Sequence, residues 1–400
     1  MKDNKMLIIG ITILICIIVA IVLYFAFKKD KFNVPRNKKK HYIGHVEHPD
    51  EKTLTKDYHI INKFVMPNSN IPLPREFNWS NVRSHLIYKE LRGNFLMPIQ
   101  NQHAPLFCGS CWIINSLDAY ATHLNIMKFM FSDEDVNSTI LLSVQETLNW
   151  FTKHKNKTCT TGGSPYEIGM YTINFNQNHY SNNVYHASST KYGSEKTNFG
   201  SPGQCKIWNK DKIHLTKTKY DVNLNASNPQ LGIHCSVNYK MENDYKSSGF
   251  IIINKYDEQL VQRILYTIGP IIGQVNCIPF LNYYGGIIGH DTVTDETSKK
   301  TDHVITIVGW GEEDGVQYWI CKNSWGYFWG ERGYFRIIRN KNYLGIESRL
   351  FCINSINIKL LQKYSSYFNL IDNTTNSKSL VNNFQHFQTG PLKHIKEEEW

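Results

Sequence analysis

The chain has 400 residues, 41% hydrophobic and 13% aromatic, which suffices for a sizeable core and excludes a mostly disordered protein. Its formal net charge of +10 does not describe a nucleic-acid-binding face. Lys28, Lys29, Lys31, Arg36, Lys38, Lys39 and Lys40 stand against Asp30 alone, so most of the excess sits in one short stretch and the rest of the chain is close to neutral.

Residues 1–6 are a short flank. Leu7 to Phe27 is an unbroken apolar run of 21 residues. As a helix it would reach roughly 30 Å, the thickness of a bilayer core. It has no polar face to turn outward, as a buried helix at a domain surface would. A secretory signal peptide has a shorter apolar region ending in small residues, whereas this run ends in Phe25-Ala26-Phe27-Lys28-Lys29. The expectation is an uncleaved, single-pass membrane anchor over 7–27. Residues 28–73 contain Pro35, Pro49, Pro67 and Pro72 and sustain no helical period, so they read as a basic linker or short pro-segment. Residues 74–353 hold eight of the nine cysteines and form the folded body. Residues 354–400 are polar, rich in Asn, Ser and Lys, and read as a mobile tail.

The informative stretch is Gln100-Asn-Gln-His-Ala-Pro-Leu-Phe-Cys-Gly-Ser-Cys-Trp112. Two cysteines three apart can hold zinc, but zinc wants a second pair at similar spacing, and Cys159, Cys205 and Cys235 are isolated. The other reading is a nucleophilic thiol. From Cys111 onward, Trp112, Ile113, Ser116, Leu117, Tyr120, Ala121 and Leu124 recur at helical spacing, which puts Cys111 in the first turn of a buried helix. There the macrodipole favours a thiolate. A thiolate nucleophile needs a base, an orienter for that base and an oxyanion site. Downstream, Asp302-His303 heads a strand-like run, followed by Asn323-Ser-Trp325-Gly326.

Taken together, Cys111, His303 and Asn323 in these settings resemble the papain-like cysteine proteases over roughly residues 72–352. The resemblance implies an α+β, two-lobe fold, with a helical lobe carrying Cys111 and a β-rich lobe carrying His303 and Asn323. It implies peptide-bond hydrolysis with no metal or cofactor, on protein or peptide substrates. By similarity Cys111 is the nucleophile, His303 its proton partner and Asn323 the orienter of the imidazole. Gln102 would donate to the oxyanion, and Trp325 would shield the His–Asn hydrogen bond. Gly162 and Gly163 would pair with extended substrate backbone. Cys108–Cys159 is the expected disulfide, with Cys205–Cys235 and Cys277–Cys352 as guesses and Cys321 a free buried thiol.

Within the family, the insertion His103-Ala-Pro-Leu-Phe between Gln102 and Cys108 resembles the branch known as cathepsin X or Z. There an inserted His holds the substrate's terminal carboxylate and makes the enzyme a carboxypeptidase; the plainer alternative for His103 is a surface loop residue. A papain-fold endopeptidase and an inactive binding protein on the same scaffold are the alternatives for the whole chain. Some features depart from the pattern. His303 lies farther from Cys111 than is usual, with the extra residues expected within 171–250. The pro-segment Cys that caps the nucleophile in cathepsin X has no counterpart in 28–73. Basic residues after the anchor argue for a cytosolic catalytic domain. Expected disulfides argue for the oxidising side, and the reading leans to the non-cytosolic face. The Asn-, Lys-, Ile- and Tyr-heavy composition resembles proteins of AT-rich genomes, such as those of protists and large DNA viruses; in a virus the anchor would sit in the virion membrane.

Overall fold

The computed structural model describes residues 44–103, 108–131, 140, 142, 144–175, 214–215, 222–223, 246–290 and 300–374. The expected anchor at 7–27, the loop 104–107 and Cys205–Cys235 lie outside them. Among the described residues no helix is long and apolar enough to cross a membrane.

In chain order the elements are β1 (Tyr58–Pro67), β2 (Phe77–Asn78), α1 (Cys111–Phe131), α2 (Val144–Lys155), α3 (Pro165–Asn174), β3 (His214–Leu215), β4 (Val222–Asn223), β5 (Gly249–Ile253), α4 (Glu258–Thr267), β6 (Ile271–Val275), β7 (Ile287–Ile288), β8 (His303–Glu313), β9 (Val316–Lys322), β10 (Tyr334–Ile338), β11 (Leu350–Asn354), α5 (Ile358–Lys363) and β12 (Phe368–Asp372). One large sheet runs β12-β1-β5-β11-β6-β8-β9-β10-β7, with β2 against β8, while β3 and β4 pair separately. Its pairings are antiparallel except for β10 with β7.

The sheet sorts its side chains between two cores. In β5, Phe250 and Ile252 face one core and Ile251 and Ile253 the other; in β8, Val304 and Ile305 divide the same way. Both faces are covered, so these strands read as continuous apolar runs rather than alternating ones. α1 packs on one face with α2 and α3, burying Trp112, Leu117, Tyr120 and Ala121. It is buried almost all round, which is the expected state of a helix without a polar stripe. α3 starts on a capping box: Ser164 accepts from Tyr166 N–H, Glu167 accepts from Ser164 N–H, and Pro165 opens the first turn. On the other face α4 packs beneath Trp79, Ile305 and Trp310.

Both flanks of the 74–353 body carry more structure than the sequence reading gave them. Within 28–73 the chain forms a 3-10 helix at Pro49–Thr53 and then β1 from Tyr58, and the tail reading misses α5 and β12. β1 is irregular: Asn62 adopts a left-handed conformation (φ 67°). Up to Asn62 the strand pairs with β5; from Lys63 it pairs with β12. The kink puts Ile60, Ile61, Phe64 and Val65 in the interior as two adjacent pairs rather than in alternation. Burying such side chains stabilises by about 1.5–3 kcal/mol each.

Candidate active site

Cys111 is the first residue of α1. Three residues upstream, Cys108 is bonded to Cys159. Gly109 N–H donates to Cys159 O (2.7 Å), so the turn before the helix is fixed both covalently and by its backbone. Cys111, Cys277, Cys321 and Cys352 are free and buried. Cys321 therefore matches expectation, and the Cys277–Cys352 pairing is corrected. Cys277 instead faces Asp302, whose Oδ1 accepts its N–H at 2.9 Å, and Cys352 lies inside β11 opposite Ile251.

His303 opens β8. Its Nε2 lies 2.8 Å from Asn323 Oδ1. That oxygen also accepts Ser324 N–H (2.8 Å), which fixes it as the acceptor and makes Nε2 the protonated nitrogen. Nδ1 is left with the lone pair. Trp325 packs on the imidazole with ring centres 4.8 Å apart and is itself buried against Phe280 and Trp329. The Val304 N–H, next in the chain, points at the Cys111 thiol. The first turn of α1 and the head of β8 thus meet at the thiol.

Gln102 is held between these sides. Its N–H donates to Ser324 O (2.8 Å), its Oε1 accepts from Ser324 Oγ (2.5 Å), and its Nε2 donates to Cys108 O (2.9 Å). A primary amide has a second N–H, so Nε2 keeps a donor for another acceptor. His103 follows, its N–H on Asn101 Oδ1 and its ring 5.7 Å from Trp325. Gly162 takes a positive φ of 63°. A Cβ on Gly163 would lie 2.6 Å from the Trp112 ring, so packing onto α1 already demands glycine there.

The sequence reading did not find Asn115. One turn beyond Cys111, it is buried and its Nδ2 donates to Cys111 O (3.0 Å), Val304 O (2.8 Å) and Ser324 Oγ (3.3 Å). Thr306 Oγ1 donates to Asn115 Oδ1 (3.1 Å). This one amide ties the thiol's helix, the histidine's strand and the serine that orients Gln102. A polar residue interrupting the apolar face of a buried helix is the signal that would have pointed to it.

The reading also missed what lies over the thiol. A Cβ on Gly44 would collide with Cys111 Sγ. Gly44 N and His45 N donate to Asp302 O (3.1 and 3.0 Å), Val46 N donates to Gly163 O (2.9 Å), and Gly163 N donates to Gly44 O (3.1 Å). Residues 44–46 thus lie along Gly163 as a short parallel strand, occupying the backbone groups expected to receive a substrate. Beyond them, Glu47 and Glu51 pair with Arg349, Ser164 Oγ donates to Glu51, and His48 stacks on Tyr166. Residues 28–73 contain no cysteine to cap the thiol; instead the Gly44 backbone lies over Cys111 Sγ without a covalent bond.

Coverage reverses the electrostatics expected of a helix N-terminus. Burial pushes the Cys111 thiol up to about 12, against the pull of the Val304 N–H. Burial also holds the His303 imidazole down at about 3, although its bond to Asn323 pulls the other way. In this state both groups are neutral.

The model of the papain family cysteine proteases matches residues 74–353. The chain belongs to the papain family. A cathepsin Z of Onchocerca volvulus is 29% identical over 273 residues, covering 67% of this chain and 71% of that one. A viral cathepsin of Heliothis zea nuclear polyhedrosis virus is 39% identical over 90 residues, 22% and 23% of the two chains. A digestive procathepsin L2 of Tenebrio molitor matches in structure with a TM-score of 0.49 and 20% identity, covering 80% of this chain and 81% of that one. By the family match over residues 74–353 and its cathepsin relatives in sequence, the chain is a cathepsin-like cysteine peptidase with a papain-like α+β fold, and its substrates are proteins or peptides. The family domain ends before α5 and β12 and begins after β1.

Proposed function

We propose that this peptidase removes single residues from free C-termini, with Cys111 as nucleophile, His303 as its proton partner, Asn323 as orienter and Gln102 as oxyanion donor. The observation that carries the assignment is the unbroken hydrogen-bonded path from Gln102 through Ser324 and Asn323 to His303, beside a thiol at the start of α1. With residues 44–46 withdrawn, water and the helix N-terminus favour the thiolate, and His303 Nδ1 takes its proton. The thiolate attacks the carbonyl carbon. Gln102 Nε2 and the Cys111 N–H stabilise the oxyanion. The imidazolium protonates the leaving amine, and water then hydrolyses the acyl-enzyme.

His103 supports the exopeptidase reading. It follows the oxyanion donor directly, and its ring shares Trp325 with His303. An imidazole N–H at that place meets the carboxylate of a one-residue leaving group. Such a charge-assisted contact contributes about 1.5–3 kcal/mol, or roughly ten- to a hundredfold in rate. Paired peptides ending in a free acid or an amide test this. The acid form should be trimmed one residue at a time and the amide spared, and His103→Ala should shrink the gap by that factor. Internal cleavage of an amidated peptide at the rate of its free acid would make the enzyme an endopeptidase.

We also read residues 7–27 as a single-pass anchor with the catalytic domain on the non-cytosolic side. The Cys108–Cys159 bond supports an oxidising compartment. Digestion of intact vesicles carrying the full chain tests it: protection of the domain from external protease is the expected result.

A further inference from the structure

Residues 44–67 all precede the family domain, yet their two halves are held by different forces. Residues 44–51 are docked by polar contacts: four backbone hydrogen bonds to Asp302 and Gly163, and the Glu47 and Glu51 pairs with Arg349. β1 is built into the interior. Ile60, Phe64 and Val65 belong to one core and Ile61 to the other. A Cβ on Gly249, inside the family domain, would collide with the carbonyl oxygens of Ile61 and Lys63. That glycine is shaped to a strand lying against it. Among the described residues β12 has no strand partner other than β1. Between the two halves lies Lys52–Asp57, exposed apart from the half-buried Leu54.

We infer that the maturation site of this chain lies within Lys52–Asp57, and that β1 stays behind as a permanent strand of the active enzyme. The step adds one water across one peptide bond and leaves a new carboxylate on the 44–51 side and a new amine ahead of β1. Before the cut, β1 tethers residues 44–51 beside Cys111 at a high effective concentration. After it, that advantage is lost and the segment's own contacts, the polar ones and the stacking of His48 on Tyr166, must hold it unaided. A cut between β1 and Pro74 has no such effect, because β1 remains docked and still carries residues 44–51. The inference rests on reading Cys111 as the nucleophile, so the test includes a readout that does not need catalysis.

Two full-length variants receive the recognition sequence of a sequence-specific protease, one between Thr55 and Lys56 and one between Ser69 and Asn70. Each is cut, then assayed for hydrolysis of a free-acid peptide and for iodoacetamide alkylation of Cys111 located by mass spectrometry. The first cut should raise both rates at least about tenfold, and residues 58–67 should stay with the domain through gel filtration. The second cut should leave both rates near those of uncut protein. Activation by the second cut equal to the first, or loss of 58–67 without loss of the domain's fold, overturns the inference. A first cut that leaves Cys111 blocked also overturns it. If the first cut exposes Cys111 to alkylation but no peptide is hydrolysed, the inference stands and the catalytic assignment fails. Spontaneously active full-length protein should begin between Thr53 and Tyr58; a start after Pro67 counts against the inference.

Discussion

On the helical side of the cleft, Cys111 is held by covalent and backbone constraints: the Cys108–Cys159 bond, the Gly109 contact with Cys159 O, and the first turn of α1. On the sheet side, where the backbone of His303 is already paired with Val275, the His303 and Asn323 side chains are held by other side chains: a hydrogen bond between them and the packing of Trp325, Phe280 and Trp329. The difference suits the roles proposed for the two groups. A nucleophilic thiol would attack from one fixed point, and a helix start fixes it. An imidazole that carries a proton would have to keep its ring plane, and an aromatic wall permits that.

Four measurements break or sharpen this contrast. The largest effect is expected at the thiol. Cys111→Ser should lower peptide hydrolysis by about a thousandfold or more, with circular dichroism unchanged; near-normal turnover would move the site elsewhere. Next is the covalent constraint on the same side. Cys108→Ser should cost about 2–5 kcal/mol of stability, read as a lower denaturation midpoint, since a native disulfide is lost. An unchanged midpoint would show that the backbone alone fixes the turn.

The third measurement concerns the segment lying across both sides. Burial holds the His45 imidazole down at about 4, with Glu47 pulling up and Arg349 and Lys157 pushing down. Released, it returns to about 6.5. The docked form is neutral and the released form takes the proton. Docking is therefore strongest above pH 6.5 and weakens by up to about tenfold per unit as pH falls towards 4. Buried His303 acts in the same direction. Glu51 opposes it, because burial raises its pKa and its protonation favours docking. The ratio of Cys111 alkylation in uncut protein to that in protein freed of residues 44–51 should rise over this range, and His45→Gln should flatten it. A flat ratio in the unaltered chain would place the release elsewhere.

The smallest effect is expected where the two sides are joined. Asn115→Ala should lower kcat about tenfold through misplacement of Gln102 and β8. Ser324→Ala should add little on top, since both belong to one path. Additive losses would mean that the two residues act separately.

The residues proposed for catalysis could be singled out in the sequence because such chemistry restricts the residue type and the local string around Cys111, His303 and Asn323, and the structure places Cys111 at the start of α1 and His303 beside Asn323. The Cys108–Cys159 bond came with the same string. Asn115 was not legible, because its partners Val304 and Ser324 come from elements far along the chain. β1 was hidden by Asn62, whose left-handed turn breaks the alternation that marks a strand. The Cys277–Cys352 guess failed for the same kind of reason: which buried thiols meet depends on strand order, and β11 lies beside β5 and β6.

Peripheral strands are ordinarily the first to open and exchange their amide hydrogens. Here the second half of β1 and β12 are each other's partners, from Lys63 opposite Asp372 to Pro67 opposite Phe368. Neither can open without the other. Their amides should exchange at one shared rate, so that two stretches some three hundred residues apart behave as a single cooperative unit.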